Sequence, residues 1–318
     1  GIMSQTNAEI ASPFIRQATL DDAEIVLEIL NSEVKGVDPD HGNYGLDIAK
    51  MMIESPGDPS PTWLFSDNES AAPFGVGNLH PDLIAQALEP IIAVRFGDPR
   101  YPVLLDWFIL EAQRDYPDMK IQISINHKHS ENLAHAVSRG FQPIRVYNTL
   151  RAAIAPGLEP PELPEGVEIR NVDLKDIDDL RKLHAVQQSS FAEHFGFVPR
   201  NFDSWAKRVK ADKSNPDDGI YLLEFQGRAE GFIWLDDIDA LELRGFVGRL
   251  GVNKEHRGKG FGQLLLGIAL AHFSRRGYVH AELGVDTQNA SNALRVYEKM
   301  GFTVLSADVE HERPVTLL

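Results

Sequence analysis

The sequence HRGKGFG occupies residues 256–262 of the chain. It follows an apolar run typical of a β-strand, which ends at Val252, and it opens an amphipathic helix predicted over Phe261–Arg276. Glycines leave successive backbone N–H groups accessible, and the first turn of a helix adds unpaired donors and a partial positive charge. Basic side chains are concentrated in and beside the same stretch: Lys254, His256, Arg257 and Lys259. The stretch therefore predicts a binding site for a pyrophosphate.

Length and composition indicate a globular protein with two cores. The chain has 318 residues, of which 43% are apolar and 25% charged, and this length is enough for two domains of ordinary size. Its net charge of −16 argues against a nucleic acid partner, since a phosphate backbone requires a basic surface. Without cysteine, the chain has neither a disulfide framework nor a thiol nucleophile.

The sequence gives no sign of a membrane segment. No apolar run approaches the length needed to span a bilayer. The first residues also lack the charged segment followed by an apolar one that a secretory leader would have. We therefore expect a cytoplasmic protein without a membrane partner.

The two halves of the chain repeat one plan. The segment FIRQATLDDAEIVLEIL, from Phe14, parallels EIRNVDLKDIDDLRKLH, from Glu168. Near the other end of each half, the segment that ends at Phe141 parallels the one that ends at Phe302. A repeat this long indicates a duplicated domain rather than a solenoid of short units.

A proline-rich segment separates the two halves. Residues 155–166 lack the periodicity of a helix or a strand, and their prolines favour a stiff, extended linker. The expected division is therefore a first domain over residues 1–154 and a second over residues 167–318.

The pattern of the second half predicts an α+β domain with a mixed sheet. The expected elements are a helical region from Lys175 to Val209 with a break near Gly196, strands at Ile220–Phe225 and Gly231–Leu235, a strand from Ala240 to Val252, a helix over Phe261–Arg276, a strand at His280–Val285, a helix over Asn292–Met300 and a final strand pair. Ser291 and Gly301 are the expected N-cap and C-terminal stop of the last helix.

Two motifs of the second half resemble those of the GCN5-related N-acetyltransferase (GNAT) family. The first is Arg/Gln-x-x-Gly-x-Gly/Ala, matched by Arg257, Gly260 and Gly262, and the second is matched by Asn289, Tyr297, Gly301 and Phe302. The resemblance covers the second half closely and the first half in outline. The tandem arrangement resembles the two-domain mycothiol synthase group of that family. The resemblance implies two tandem GNAT-like domains, each a mixed, mostly antiparallel sheet flanked by helices.

Two other interpretations of the glycine-rich stretch are a dinucleotide fingerprint and a plain surface turn. The fingerprint would require a glycine where the chain has Gln263, and also a βαβ unit that the predicted hairpin order does not supply. The family resemblance favours acetyl-CoA as the ligand over both.

The resemblance also implies roles for particular residues. Leu250, Gly251 and Val252 would present backbone N–H groups to the acetyl carbonyl and the pantetheine arm, on a strand that splays from its neighbour. Asn289 would contact the pantetheine or fix the turn after the strand. The residues that would hold the pyrophosphate are Arg257, Gly258, Lys259, Gly260, Phe261 and Gly262. Tyr297 is the expected general acid, because a phenol stays protonated at neutral pH. A tyrosine packed in the core is the plain alternative.

The general base is not assigned by the resemblance. Many relatives carry a glutamate where this chain has Phe246 or Gly284. Glu242 shares the strand face of Phe246 by the period of two, although it lies about 13 Å back along the strand, and it is our candidate. The further candidates are Glu193, His194, Glu282 and Asp286. A water chain, or capture of a neutral amine, would require no dedicated base.

The first half lacks an equivalent site. Its counterpart to the glycine-rich stretch is FGDPRYP, residues 96–102, in which two prolines lack N–H donors and Asp98 would repel a phosphate. Ala136 takes the position of Tyr297. We expect this half to have kept the fold and lost acetyl transfer, while it shapes the acceptor site or supports its partner. Unproductive binding of CoA is the alternative.

The sequence thus favours an acetyl-CoA-dependent N-acetyltransferase that acts on the primary amine of a small molecule. A non-catalytic acyl-CoA-binding protein and a mycothiol-synthase-like enzyme are the alternatives. No metal is expected, because the histidines at 127, 129 and 135 have no carboxylate at ligand spacing. The acceptor and the oligomeric state are not predicted.

Overall fold

The chain divides into two compact units, and each takes residues from both halves of the sequence. The computed structural model describes residues 12–55, 58–212, 218–239, 242–288 and 293–318. Unit 1 consists of residues up to 39, residues 48–142 and residues 311–318, whereas unit 2 consists of residues 40–47 and 143–310. Sheets and helices occur in both units, so the predicted α+β class is confirmed. The domain boundaries at 154 and 167 stay predictions.

Unit 1 is built around short strands and a long central helix. Its strands are β1 (Phe14–Gln17), β2 (Trp63–Ser66), β3 (Gly75–Asn78), β4 (Pro81–Asp82), β5 (Ala87–Leu88), β6 (Ile91–Val94) and β7 (Lys120–Asn126). The helices of the first half are α1 (Ala23–Val37), α2 (Leu46–Glu54), α3 (Tyr101–Asp115) and α4 (Ser130–Ser138). The strands β1-β2-β3-β6 form an antiparallel sheet in that order. The fully buried Phe65 and Phe108 pack the sheet against α3, with ring centres 5.7 Å apart.

Unit 2 contains the larger sheet. Its strands are β8 (Gln142–Ala153, of which all but Gln142 lie in this unit), β9 (Val167–Asn171), β10 (Ile220–Phe225), β11 (Arg228–Asp239), β12 (Arg244–Val252) and β13 (His280–Asp286), in the order β8-β13-β12-β11-β10-β9. The helices are α5 (Ile177–Phe191), α6 (Phe202–Ala211), α7 (Phe261–Arg275) and α8 (Ala293–Lys299), and the last strand is β14 (Thr303–Pro314). Only β12 and β13 pair in parallel among these strands of the described ranges. No helix in the described ranges is both long and apolar enough to cross a membrane.

The core of unit 2 lies between the sheet and α7. The apolar face of α7 buries Phe261, Leu265 and Phe273 against sheet residues such as Leu235 and Leu283. Burial of each of these large side chains contributes on the order of 2 kcal/mol. A second cluster packs α5 and α6 on the sheet. The amphipathic helix predicted at this position is thus confirmed.

Most elements of the second half lie where the sequence predicts them, with three differences. The first is that β11 spans Arg228–Asp239 rather than Gly231–Leu235. β12 begins at Arg244 rather than near Ala240, because the chain turns at Glu242 and Leu243, where φ of Leu243 is +56°. The final strand pair is a single long strand, β14. The expected N-cap, Ser291, lies outside the described residues.

The proline-rich segment 155–166 contains neither helix nor strand, and it is held along α7 within unit 2. The hydroxyl of Ser274 donates to the carbonyl of Ala155 at 2.9 Å and accepts the N–H of Leu158 at 3.0 Å. Pro161 lies so close to Gly267 that a Cβ there would be 3.0 Å from its Cγ. The segment is therefore anchored to α7, with turns at residues 156–157 and 165–166; its role as a linker stays a prediction.

Candidate active site

The glycine loop, residues 256–262, leaves an open concavity at the start of α7. Gly258 and Gly260 have φ values of +87° and +82°, which other residues rarely adopt. Gly260 is the N-cap of α7 and offers no side chain to the first N–H groups of the helix. A Cβ at Gly258, Gly260 or Gly262 would meet no atom within 4 Å. The loop thus has room for a bound pyrophosphate. A pyrophosphate would compete for the N–H groups of Arg257 and Lys259, whose nitrogens lie 3.3 and 3.4 Å from the carbonyl oxygens of Lys254 and His256.

Basic side chains surround the loop and are only loosely paired. The ammonium of Lys254 lies 3.0 Å from one carboxylate oxygen of Glu193, and a guanidinium nitrogen of Arg257 lies 3.8 Å from the other. Both cations are well exposed, at 71% and 45%, so these ion pairs are weak. A pyrophosphate on the loop would compete for the same charges.

Strands β12 and β13 separate next to the loop. Their parallel pairing runs from Arg244↔His280 to Val247↔Leu283 and goes no further, although β12 continues to Val252. On its other side β12 stays paired with β11, and a bulge in that pairing leaves Gly248 as an extra residue. A bulge increases the local twist of a strand. It therefore provides a physical reason for β12 to leave β13.

The separation exposes one edge of the last residues of β12. Leu250, Gly251 and Val252 pair with β11 only, so backbone groups on their other edge are not used by β13. Gly251 could not be another residue, because a Cβ there would collide with the Ser190 hydroxyl. This edge is the predicted position for donors to an acetyl carbonyl, and that role stays a prediction.

A cavity of about 230 Å³ occupies the gap between the strands. Its walls come from five elements and the segment after α5; the lining residues are Tyr147, Phe191, His194, Phe195, Val247, Gly248, Arg249, Leu250, Leu283, Gly284, Asp286 and Tyr297. Aromatic rings thus enclose a small number of polar groups. This composition is typical of a site for a small molecule.

Tyr297 lies in the wall of this cavity and also packs on the core. Its ring contacts Phe302 at 6.2 Å between centres, so both the predicted role and the plain alternative of a packed tyrosine agree with its position. Burial raises the pKa of its hydroxyl above the ordinary value of about 10. The hydroxyl therefore keeps its proton at neutral pH, as a general acid must.

The structure brings only some of the candidate bases to the cavity. His194 and Asp286 line it, whereas Glu282 is buried in ion pairs with Arg244 and Arg151, both at 2.8 Å. Glu193 is exposed beside the glycine loop. Burial, and secondly the charge of Arg257, lower the pKa of His194, so that its imidazole is neutral at neutral pH.

Glu242 is not brought to the cavity. It lies in the turn before β12, where its carboxylate accepts two hydrogen bonds from Asn43, from the side chain at 2.6 Å and from the backbone at 3.1 Å. Asn43 belongs to the first half of the sequence, so spacing along the second half could not reveal this partner. Asn289, the other predicted contact, lies outside the described residues.

Comparison with known sequences finds a family that the second half of the chain resembles. Residues 178–302 match the sequence profile of the Acetyltransferase (GNAT) family. That match includes α5, the glycine loop and the cavity-lining part of β12, and it ends at Phe302 directly after α8.

Similar sequences cover part of the chain, and similar solved structures cover nearly all of it. The chain is 34% identical over 174 residues to a "Mycothiol acetyltransferase" of Streptomyces griseus, a match that covers 54% of each protein, so it spans about half of that relative. A GCN5-related N-acetyltransferase from Sphaerobacter thermophilus superimposes with a TM-score of 0.74 at 17% identity, over 96% of both chains. A tandem GNAT protein from the clavulanic acid biosynthesis pathway superimposes with a TM-score of 0.73 at 14% identity, over 96% of this chain and 99% of that one. The predicted tandem fold is confirmed.

Proposed function

We propose that the GNAT domain transfers an acetyl group from acetyl-CoA to the primary amine of a small molecule. The observation that supports this most is the gap between β12 and β13, because it connects two features along one strand. Gly248 to Leu250 line the cavity, and the same strand then leads into the glycine loop. A ligand with a phosphate end and a reactive end fits such an arrangement.

Each part of the site would have one task in the transfer. Acetyl-CoA supplies the activated acetyl thioester, with its pyrophosphate held by the N–H groups and cations of the glycine loop. Free N–H groups of Leu250–Val252 would polarise the carbonyl. The amine nitrogen forms a bond to the carbonyl carbon as the carbon–sulfur bond breaks, and Tyr297 donates its proton to the sulfur.

We assign the removal of the amine proton to His194. Its neutral imidazole lines the cavity, and its ring stacks on Phe191 with centres 4.5 Å apart. Asp286 is the less suitable base, since one oxygen accepts the N–H of Gln288 at 3.0 Å and the other faces Arg145 at 3.7 Å. Protonation of His194 at low pH would stop the reaction.

Two other functions are candidates, and one experiment distinguishes them from acetylation of a small amine. Curated relatives named mycothiol acetyltransferases make a cysteinyl amino-sugar a candidate acceptor. A non-catalytic acyl-CoA-binding protein is the second candidate, and the absence of a glutamate at Phe246 and Gly284 favours it.

The test is incubation of the full chain with acetyl-CoA and a panel of small amines, followed by mass spectrometry of the products and measurement of free thiol. We expect an acetylated amine and an equal amount of free CoA. Binding of acetyl-CoA without acetylation of any amine would support the non-catalytic function instead.

A further inference from the structure

Arg249 is a cation of the cavity without an ion pair among the residues that the structure describes. It lies opposite Trp234 in the pairing of β11 with β12, and its guanidinium stands 4.4 Å from the centre of that ring. Burial lowers the pKa of the guanidinium. The negative charges of Asp236 and Asp212 raise this pKa, but they offset the effect of burial only in part. A partly buried cation of this kind is stabilised by an anion.

The bulge in β12 lies next to Arg249. Val247 pairs with Leu235 and Arg249 with Trp234, and Gly248 between them is the extra residue. All four residues from Val247 to Leu250 line the cavity. A Cβ at Gly248 would lie 2.4 Å from a carboxylate oxygen of Asp236, so a larger residue there would displace that side chain.

The remaining charges of the cavity are already balanced. Asp286 lies 3.7 Å from Arg145, whose guanidinium covers the ring of Phe195 at 4.0 Å. His194 is neutral because its pKa is lowered. Among the described residues, Arg249 is therefore the charged residue of the cavity lining that no ion pair balances, although the charges of Asp236 and Asp212 act on it.

We propose that Arg249 binds a carboxylate of the acceptor, so that the acceptor is a small amine that carries an acid group, such as an amino acid. This inference rests on the proposed acetyl transfer. A planar guanidinium holds a carboxylate through two parallel hydrogen bonds, which fixes its orientation as well as its position. The acid would thus be anchored in the same cavity that Tyr297 and His194 line, with the amine left to react.

The size of the cavity agrees with a small acceptor. Its volume of about 230 Å³ is below the roughly 300–1,000 Å³ typical of sites for drug-sized ligands. The aromatic side chains of Tyr147, Phe191 and Phe195 supply apolar contacts for the rest of such a molecule.

The test compares amines that differ only in the acid group. The panel contains phenylalanine, phenylalaninamide and phenethylamine, the matching leucine series, phosphoethanolamine and a cysteinyl amino-sugar. For the wild type we expect kcat/KM for the amino acid to exceed that for its amide at least tenfold. Arg249→Gln should lower this ratio at least tenfold, and Arg249→Lys, which keeps a cation, should lower it less.

A matched control separates this effect from a general change in charge or folding. Arg181 is an exposed arginine of α5 that stacks on Phe202 and does not line the cavity. Arg181→Gln should leave the ratio unchanged. The thermal unfolding midpoint of every variant shows whether it is folded.

Several outcomes would overturn the inference. These are equal use of amide and acid by the wild type, equal loss of both in Arg249→Gln, acetylation of the amino-sugar alone, and acetylation of phosphoethanolamine alone. If no amine is acetylated, the proposed function fails, and calorimetry with 3-phenylpropionate tests Arg249 independently. Binding by the wild type that is lost in Arg249→Gln would support the anion site, and no binding would contradict it.

Discussion

At the scale of single residues, Tyr297 has the chemistry that a leaving thiolate requires. Its hydroxyl reaches a cavity whose walls are largely aromatic, and burial raises its pKa. The raised pKa keeps the proton on the phenol over the whole neutral range, so the residue is in the protonated form that a general acid requires.

Replacement of Tyr297 by phenylalanine tests this role with little change in packing. We expect kcat to fall about 100-fold, since loss of a general acid typically costs that much or more. The dissociation constant of acetyl-CoA, measured by calorimetry, should change less than about twofold. A variant with unchanged kcat would leave Tyr297 as a packing residue.

The pH dependence of the reaction tests His194. Its pKa is lowered by burial and by Arg257, so the base is active down to a pH below the ordinary histidine value of about 6.5. We expect kcat/KM to decrease as pH falls through that lowered pKa. In His194→Gln this acidic limb should disappear together with most of the activity; an unchanged profile in the variant would assign the limb to another group.

The titration of Glu33 in unit 1 should make the stability of the protein depend on pH. Here the loss occurs as pH rises, whereas the activity that depends on His194 is lost as pH falls. Its carboxylate accepts the N–H of Val94 at 3.1 Å, and burial raises its pKa to about 7. As pH rises from about 4.5, the unfolded chain loses this proton before the folded one does, so the free energy of unfolding decreases until about pH 7.

Glu33→Gln removes this titration and keeps an oxygen that can accept the N–H of Val94. We expect the variant to be more stable than the wild type at pH 8, by up to about 3 kcal/mol, and equal to it near pH 4.5. Urea unfolding at both pH values measures this. Equal stabilities at pH 8 would mean that the carboxylate is well solvated.

At the scale of secondary structure elements, the start of α7 determines the phosphate site. Gly260 and Gly277 flank this helix, both have positive φ (+82° and +75°), and both have open space around them. An alanine at either position has the same backbone strain, of roughly 1–2 kcal/mol. Only Gly260 lies in the glycine loop.

This pair provides a prediction with an internal control. Gly260→Ala and Gly277→Ala should lower the thermal unfolding midpoint by similar amounts. Only Gly260→Ala should also weaken acetyl-CoA binding, by about tenfold or more, because its Cβ would enter the concavity. Equal affinities of the two variants would exclude the loop as the phosphate site.

Local patterns in the sequence predict the elements of the second half well, and their assembly less well. The period of apolar residues locates α7 and β10 within one residue, because both bury one face on the same core. The spacing along a predicted strand favours Glu242 as the base, but the turn at Leu243 ends that strand. The bulge at Gly248 depends on pairing with β11 and leaves no local signal.

At the scale of the whole molecule, the two halves of the sequence exchange segments. β8 belongs to the first half, yet it pairs antiparallel with β13 in unit 2, from Tyr147↔Asp286 to Ala153↔His280. The end of β14 belongs to the second half, yet Glu312 accepts a hydrogen bond from Gln122 in unit 1 at 2.9 Å. The first half thereby supplies Tyr147 to the cavity, which no linear division of the sequence predicts.

Unit 1 has a different loop at the position equivalent to the glycine loop. At the start of α3, the Asp98 carboxylate accepts the N–H of Arg100 at 3.0 Å and pairs with its guanidinium at 2.8 Å. Asp98 thus brings a negative charge to the position equivalent to the glycine loop. We expect calorimetry of the full chain to give one acetyl-CoA per molecule; two sites of similar affinity would contradict this.

The most direct test of the account is a crystal structure of the full chain with CoA. We expect a pyrophosphate on the N–H groups of residues 257–262. We expect the thiol in the gap between β12 and β13, within about 3.5 Å of the Tyr297 hydroxyl. A pyrophosphate in unit 1, or a thiol remote from Tyr297, would contradict it.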